Sequence, residues 1–68
     1  MDINIRRAVL QNMNKSTFDD VKATVDDAMS SGEEKMLPGL GVLFEVLYKA
    51  SDDTGKRDIL NKLVQGLQ

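Results

Sequence analysis

The chain of 68 residues has no cysteine, no histidine and no tryptophan, and holds only one tyrosine, two phenylalanines and one proline. Without thiol or imidazole groups it has no disulfide, no thiolate nucleophile, no zinc site of the usual ligand types and no imidazole acid/base chemistry. The missing cysteine also fits a reducing compartment. Neither sign of charge dominates: nine basic residues against eleven acidic ones give a formal charge of −2. The strong positive field that draws proteins to nucleic acid or to anionic membranes is therefore lacking. No apolar run approaches the ~20 residues needed to cross a bilayer, and no apolar segment follows Arg6 and Arg7 to make a secretory leader. The expectation is a soluble, unprocessed chain that forms a single helical domain over residues 1–68, with neither nucleic acid nor membrane favoured as a partner.

What the chain does have is helical spacing. Hydrophobic residues make up 41% of it, enough for a modest core that would bury roughly 60% of the unfolded surface. Ile5, Val9 and Met13 recur every four residues with Leu10 beside them, which predicts a helix from about Ile3 to Met13, capped by Asp2 or Asn4. Arg6 falls on the apolar arc of that helix. Either its charged head snorkels to water, or it meets an acidic side chain or a phosphate.

After a break at Asn14 and Lys15, Ser16 and Asp19 stand in capping-box spacing, so a second helix is expected to start at Thr17. Phe18, Val21, Val25, Ala28 and Met29 would line its inner face, with Asp20, Lys22 and Asp27 towards water and Gly32 as the left-handed cap. The densest apolar run follows. Pro38 disfavours helical angles at Leu37 and suits a first helical turn, so a third helix is expected near Pro38. Leu40, Leu43, Phe44 and Leu47 form its predicted inner face, Val42 and Val46 extend the apolar surface to a second side, and Glu45 and Lys49 mark the wet side as a supporting i, i+4 pair. A strand reading of residues 41–48 fails for want of alternation, and the glycines at 39 and 41 fit neither nucleotide-binding fingerprint. They are expected to let helices approach closely, so that Gly41→Leu would overpack the contact. A fully buried Phe44 would make Phe44→Ala cost about 3–5 kcal/mol.

A fourth helix is expected from about Thr54, capped by Asp53, with Ile59, Leu60, Leu63, Val64 and Leu67 on one stripe. Asp53-Thr54-Gly55 matches the aspartic-protease tripeptide, but that motif needs two copies on a β-rich scaffold, and this chain offers one copy between helices. Acidic doublets at 19–20, 26–27, 33–34 and 52–53 point about 100° apart on a helix and read as solvated, not as paired catalytic carboxylates. No catalytic, cofactor-binding or metal-binding residues are assigned.

The segment Ser31 to Glu45, reading Ser-Gly-Glu-Glu-Lys-Met-Leu-Pro-Gly-Leu-Gly-Val-Leu-Phe-Glu, resembles the central signature of the minor small acid-soluble spore protein I family. The flanks fit as well, with an Asn-Ile-Arg helix before it and a Leu-rich helix of mixed charge after it. The resemblance implies a protein of endospore-forming bacteria, made in the forespore and kept in the spore core, with no known enzymatic activity. The glycine-rich pattern and protease-recognition segment of the major DNA-coating spore proteins are not seen, so DNA coating does not carry over. The expected architecture is all-α, a bundle of three or four short helices around a central hydrophobic helix. The expected role is that of a helical interaction module with an unknown protein partner or self-association, against an alternative of DNA association or amino-acid storage. Gly32, Glu33, Glu34, Lys35, Met36, Leu37, Pro38, Gly39, Leu40, Gly41, Phe44 and Glu45 are the candidate signature and interaction residues.

Overall fold

The computed structural model describes residues 3–68. They form α1 (Ile3–Asn12), α2 (Phe18–Ser31), a 3₁₀ turn (Glu34–Met36), α3 (Leu37–Ala50) and α4 (Asp53–Gly66), with no strand among the described residues. This is the expected all-α arrangement. Asp2, one of the two expected caps of α1, lies outside the described residues.

Local chemistry sets the boundaries, and at two helix starts the cap lies one residue away from its expected place. Lys15 takes a left-handed conformation with φ of 60°, and the Ser16 amide donates to the Met13 carbonyl at 3.1 Å, drawing Ser16 into the turn. Thr17 therefore caps α2 in place of Ser16. Its hydroxyl accepts from the Asp20 amide at 3.2 Å, while the Asp20 carboxylate accepts from the Thr17 amide at 3.1 Å, a reciprocal capping box. Likewise Asp52, not Asp53, caps α4, accepting from the Gly55 amide at 2.8 Å. Gly32 ends α2 with φ of 63° and ψ of 12°, as expected of a left-handed glycine cap. Leu37 departs from its expected extended geometry. It is helical, with φ of −60° and ψ of −42°, because the preceding 3₁₀ turn already winds the chain in the helical sense before Pro38 enters the first turn of α3.

Helices α1, α2 and α4 each pack against α3, which makes the most apolar helix the hub. Coverage is thin. Val42 is the one buried hydrophobic among the described residues, at 1% exposure. It sits on the side of α3 expected to be secondary, whereas the expected inner residue Phe44 keeps 39% of its surface exposed and Leu47 is more open still. The stripe of α2 is also only partly covered: Val25 and Ala28 are half-buried, but Phe18 is 80% exposed and Met29 is largely open.

The surface totals 5750 Å². A folded monomer of 7.5 kDa is expected to expose roughly 4,200 Å², so this chain buries nearer half of its unfolded surface than the ~60% expected. The radius of gyration, 12.8 Å, likewise exceeds the ~11 Å typical of this length.

Gly41 does not mediate close helix approach. A Cβ placed there meets nothing within 4 Å, and one at Gly39 would touch only the Val9 side chain, at 3.9 Å. At Gly55, by contrast, a Cβ would lie 3.1 Å from Ser51 Cβ and 3.2 Å from Asp52 Oδ1, against the cap of α4. Denaturant unfolding should therefore show Gly41→Ala stabilising by about 0.5–1 kcal/mol, with Gly55→Ala failing to match that gain. Phe44→Ala should cost roughly 1–2 kcal/mol, below the range for a fully buried aromatic. Loss of stability in Gly41→Ala, or a loss above 3 kcal/mol in Phe44→Ala, would refute this account.

Candidate interaction surface

The signature residues make up the whole α2–α3 connection, residues 32–36, and continue along α3, where they face different neighbours. Gly32 reverses the chain, and Glu33 follows in an extended conformation. The Ser31 hydroxyl donates to the Ala28 carbonyl at 3.0 Å and accepts from the Glu33 amide at 3.3 Å, so the turn is fixed by its own side chain. The Met36 amide donates to the Glu33 carbonyl at 3.0 Å, closing the 3₁₀ turn that contains Glu34 and Lys35. Lys35 Nζ lies 3.0 Å from Glu33 Oε2 on the open surface. Such an exposed pair adds little to stability.

Past Pro38, the helix divides its contacts. Gly39 and Leu40 turn inwards, and together with Val9 of α1, Met13 just past its end, Ala28 of α2, Met36 and Leu43 they line a cleft of about 350 Å³ between the three helices. A smaller cleft of about 240 Å³ lies beside it under Met29, Gly32 and Leu37. Both are mostly apolar. The polar groups at the rim of the larger one, Asn12, Thr24 and Asp27, supply no nucleophile paired with a base. No cluster of His, Cys, Asp or Glu among the described residues is arranged to hold a metal ion. No helix of the described residues is long and apolar enough to cross a membrane.

Two polar contacts tie the neighbouring helices to α3. Arg6 Nε donates to Glu45 Oε1 at 2.8 Å and Arg6 Nη2 donates to Glu45 Oε2 at 2.9 Å, a two-pronged pair between α1 and α3 with both side chains about one-third exposed. The inward Arg6 therefore has an acidic partner and does not simply snorkel to water. Glu45 is correspondingly half-buried and bound to α1, where the expectation had it on the wet side with Lys49. Donation from Arg6 is the largest influence on Glu45 and holds its carboxyl below the ordinary value; partial loss of water opposes this, and the charges of Arg6 and Lys49 add to the lowering. The same hydrogen bond, followed by the charge of Glu45, raises the Arg6 guanidinium above its ordinary value. Where α3 meets α4, Phe44 and Tyr48 stack with centroids 5.9 Å apart, and Lys56 Nζ of α4 sits 5.2 Å from the Tyr48 centroid. This cation–π contact holds the start of α4 to α3.

The sequence profile described as "Small, acid-soluble spore protein I" matches residues 3–67. This chain belongs to that family. Proteins of this description from Bacillus cereus (strain AH187) and Bacillus anthracis (strain CDC 684 / NRRL 3495) are each 53% identical over all 68 residues, covering 99% of their own length. No solved structure matches the chain. Membership makes it a sporulation-related, spore-associated protein.

The Arg6–Glu45 pair generates a pH dependence with a defined sign. A carboxyl whose folded-state pKa lies below its unfolded value of about 4.5 stabilises the fold above that value, and the contribution is lost as pH falls through the folded-state pKa. Arg6 stays charged throughout and adds no change in this range. Glu45→Gln should therefore lower the melting temperature relative to the parent near neutral pH, with the gap closing as the solution is acidified below about pH 4. Arg6→Ala should lower it more than Arg7→Ala. A gap independent of pH, or equal effects of the two arginines, would show that the pair does not hold α1 to α3.

Proposed function

We propose that this chain is a non-enzymatic protein of the spore core that works as a helical interaction module, its apolar surface completed by another protein. The observation that carries this reading is the surface itself. The chain exposes about 1,500 Å² more than a monomer of its mass ordinarily does. Standard interfaces cover about 800 Å² on each partner and obligate ones more, so the excess is of the size that one stable partner removes. Apolar side chains on α2, α3 and α4 contribute to it, including Phe18, Leu37 and Leu47. A chemical reaction has little support by comparison, because the larger cleft offers apolar walls and one carboxylate, Asp27, with no nucleophile paired to it.

Charge supports a protein partner over duplex DNA. The net charge is −2, and Arg6, Lys22 and Lys35 are engaged with Glu45, Asp26 and Glu33. Titration with labelled duplex at physiological salt should give no binding tighter than ~10⁻⁴ M, the weak end for non-specific binders. Micromolar affinity that falls steeply with added salt would replace the interaction-module reading with nucleic-acid association.

A further inference from the structure

The uncovered surface has a gradient along α4. At its start, Lys56 rests on Tyr48 and Ile59 is half-buried, so this end lies against α3. Farther on, Leu63 is 45% exposed, Val64 is more open, and Leu67, just past the end of the helix, is 84% exposed. Leu60, Leu63, Val64 and Leu67 follow one another at i, i+3, i+4 and i+7, the spacing that presents a continuous stripe to a partner helix. The stripe is therefore open from its first residue, Leu60 at 44% exposure, and opens further towards Leu67.

Building on the interaction reading above, we infer that the occupant of this stripe is a second copy of the same chain, joined about a two-fold axis through antiparallel α4 helices. Area is the first argument. The chain-wide excess of about 1,500 Å², to which the α4 stripe contributes beside Phe18, Leu37 and Leu47, falls within the ~1,000–2,500 Å² that each subunit of an obligate homodimer covers, and a two-fold contact uses the same patch on both copies. Dependence of the fold on its partner is the second. With Val42 alone fully buried among the described residues, the single chain holds little of the deep apolar burial that offsets chain entropy. A partner so necessary must be present wherever the chain is, and a second copy meets that condition without any other protein. Charge is the third. Over Asp53–Gly66 the two acids and three bases nearly cancel. Antiparallel pairing centred on the stripe sets Leu60 of one copy against Leu67 of the other and Leu63 against Val64, which leaves the charged first halves of the two helices outside the contact, with the helix dipoles opposed.

The test uses the purified full chain, followed by light scattering and by thermal melting from about 5 to 200 µM. The expected result is twice the 7.5 kDa chain mass and a melting temperature that rises with concentration. Leu63→Glu should return the chain to single-copy mass, and Leu63→Met should not. Because Leu63→Glu could also disturb the fold, Leu67→Glu provides the independent test: Leu67 is too exposed to matter to a lone chain, so loss of the dimer there reports the contact itself. A dimer unaffected by either Glu substitution overturns the α4 contact. Single-copy mass at every concentration, with a constant melting temperature, overturns self-association, and binding of an apolar-surface dye then separates two cases. A monomer that binds the dye removes only the second-copy inference and leaves the interaction reading in place. A cooperatively melting monomer that binds no dye removes both.

Discussion

The structure depends on one constraint: α3 is too apolar to face water, and three short helices must share the task of covering it. Each is about 15–21 Å long, so none can wrap α3, and each shields only the arc it touches. Val42 lies where that shielding is complete. Elsewhere the contact thins within a turn or so, leaving Phe44 and Leu47 partly in water. The polar ties make sense against this background. Where apolar burial is scarce, a two-pronged Arg6–Glu45 pair and a Lys56–Tyr48 contact fix the angles at which α1 and α4 meet α3. The reciprocal capping box at Thr17 and the single side-chain cap at Asp52 start α2 and α4 through local hydrogen bonds.

Much of this was legible in the sequence, and what was not follows a physical pattern. The four helices, the hub role of residues 37–50 and the left-handed Gly32 follow from periodicity and from glycine's conformational freedom, which are local properties. The caps at Ser16 and Asp53 came out one residue off because Ser16-Thr17 and Asp52-Asp53 each offer adjacent capable side chains. The preceding turn chooses between them, as the Ser16 amide does by bonding back to Met13. For Arg6, the helical phase showed that it points inwards, but its partner lies 39 residues away, beyond the reach of any local pattern. Val42 was misplaced because α3 is apolar on nearly every side, so its periodicity could not say which side lies deepest.

Gly41 and the α4 stripe illustrate a further limit. A small residue in a helix permits close approach, but only the neighbours decide whether anything approaches, and at Gly41 nothing does. In the same way, the spacing of Leu60, Leu63, Val64 and Leu67 declares an apolar face and says nothing of what covers it. Family membership adds a biological setting without assigning a task to that face. The signature itself is mostly architectural in this fold: it turns the chain at Gly32, begins α3 and supplies Glu45 to hold α1, so its distinctiveness does not require that its residues converge on a ligand.

An under-buried monomer also changes what a stability measurement means. In a domain with a deep core, folding comes first and association adds a separate term; here Val42 is the one fully buried hydrophobic among the described residues, so the lone chain has little deep core to rest on. On the proposed reading, folding and association form one linked equilibrium, and the folded fraction follows chain concentration as well as temperature. A substitution on the outer face of α4 would then act as a core substitution although it touches nothing in its own chain. One that helps only the lone chain, such as filling Gly41, would act equally at every concentration. Concentration dependence thus separates residues that build the fold from residues that complete it, a division that burial within a single chain does not reveal.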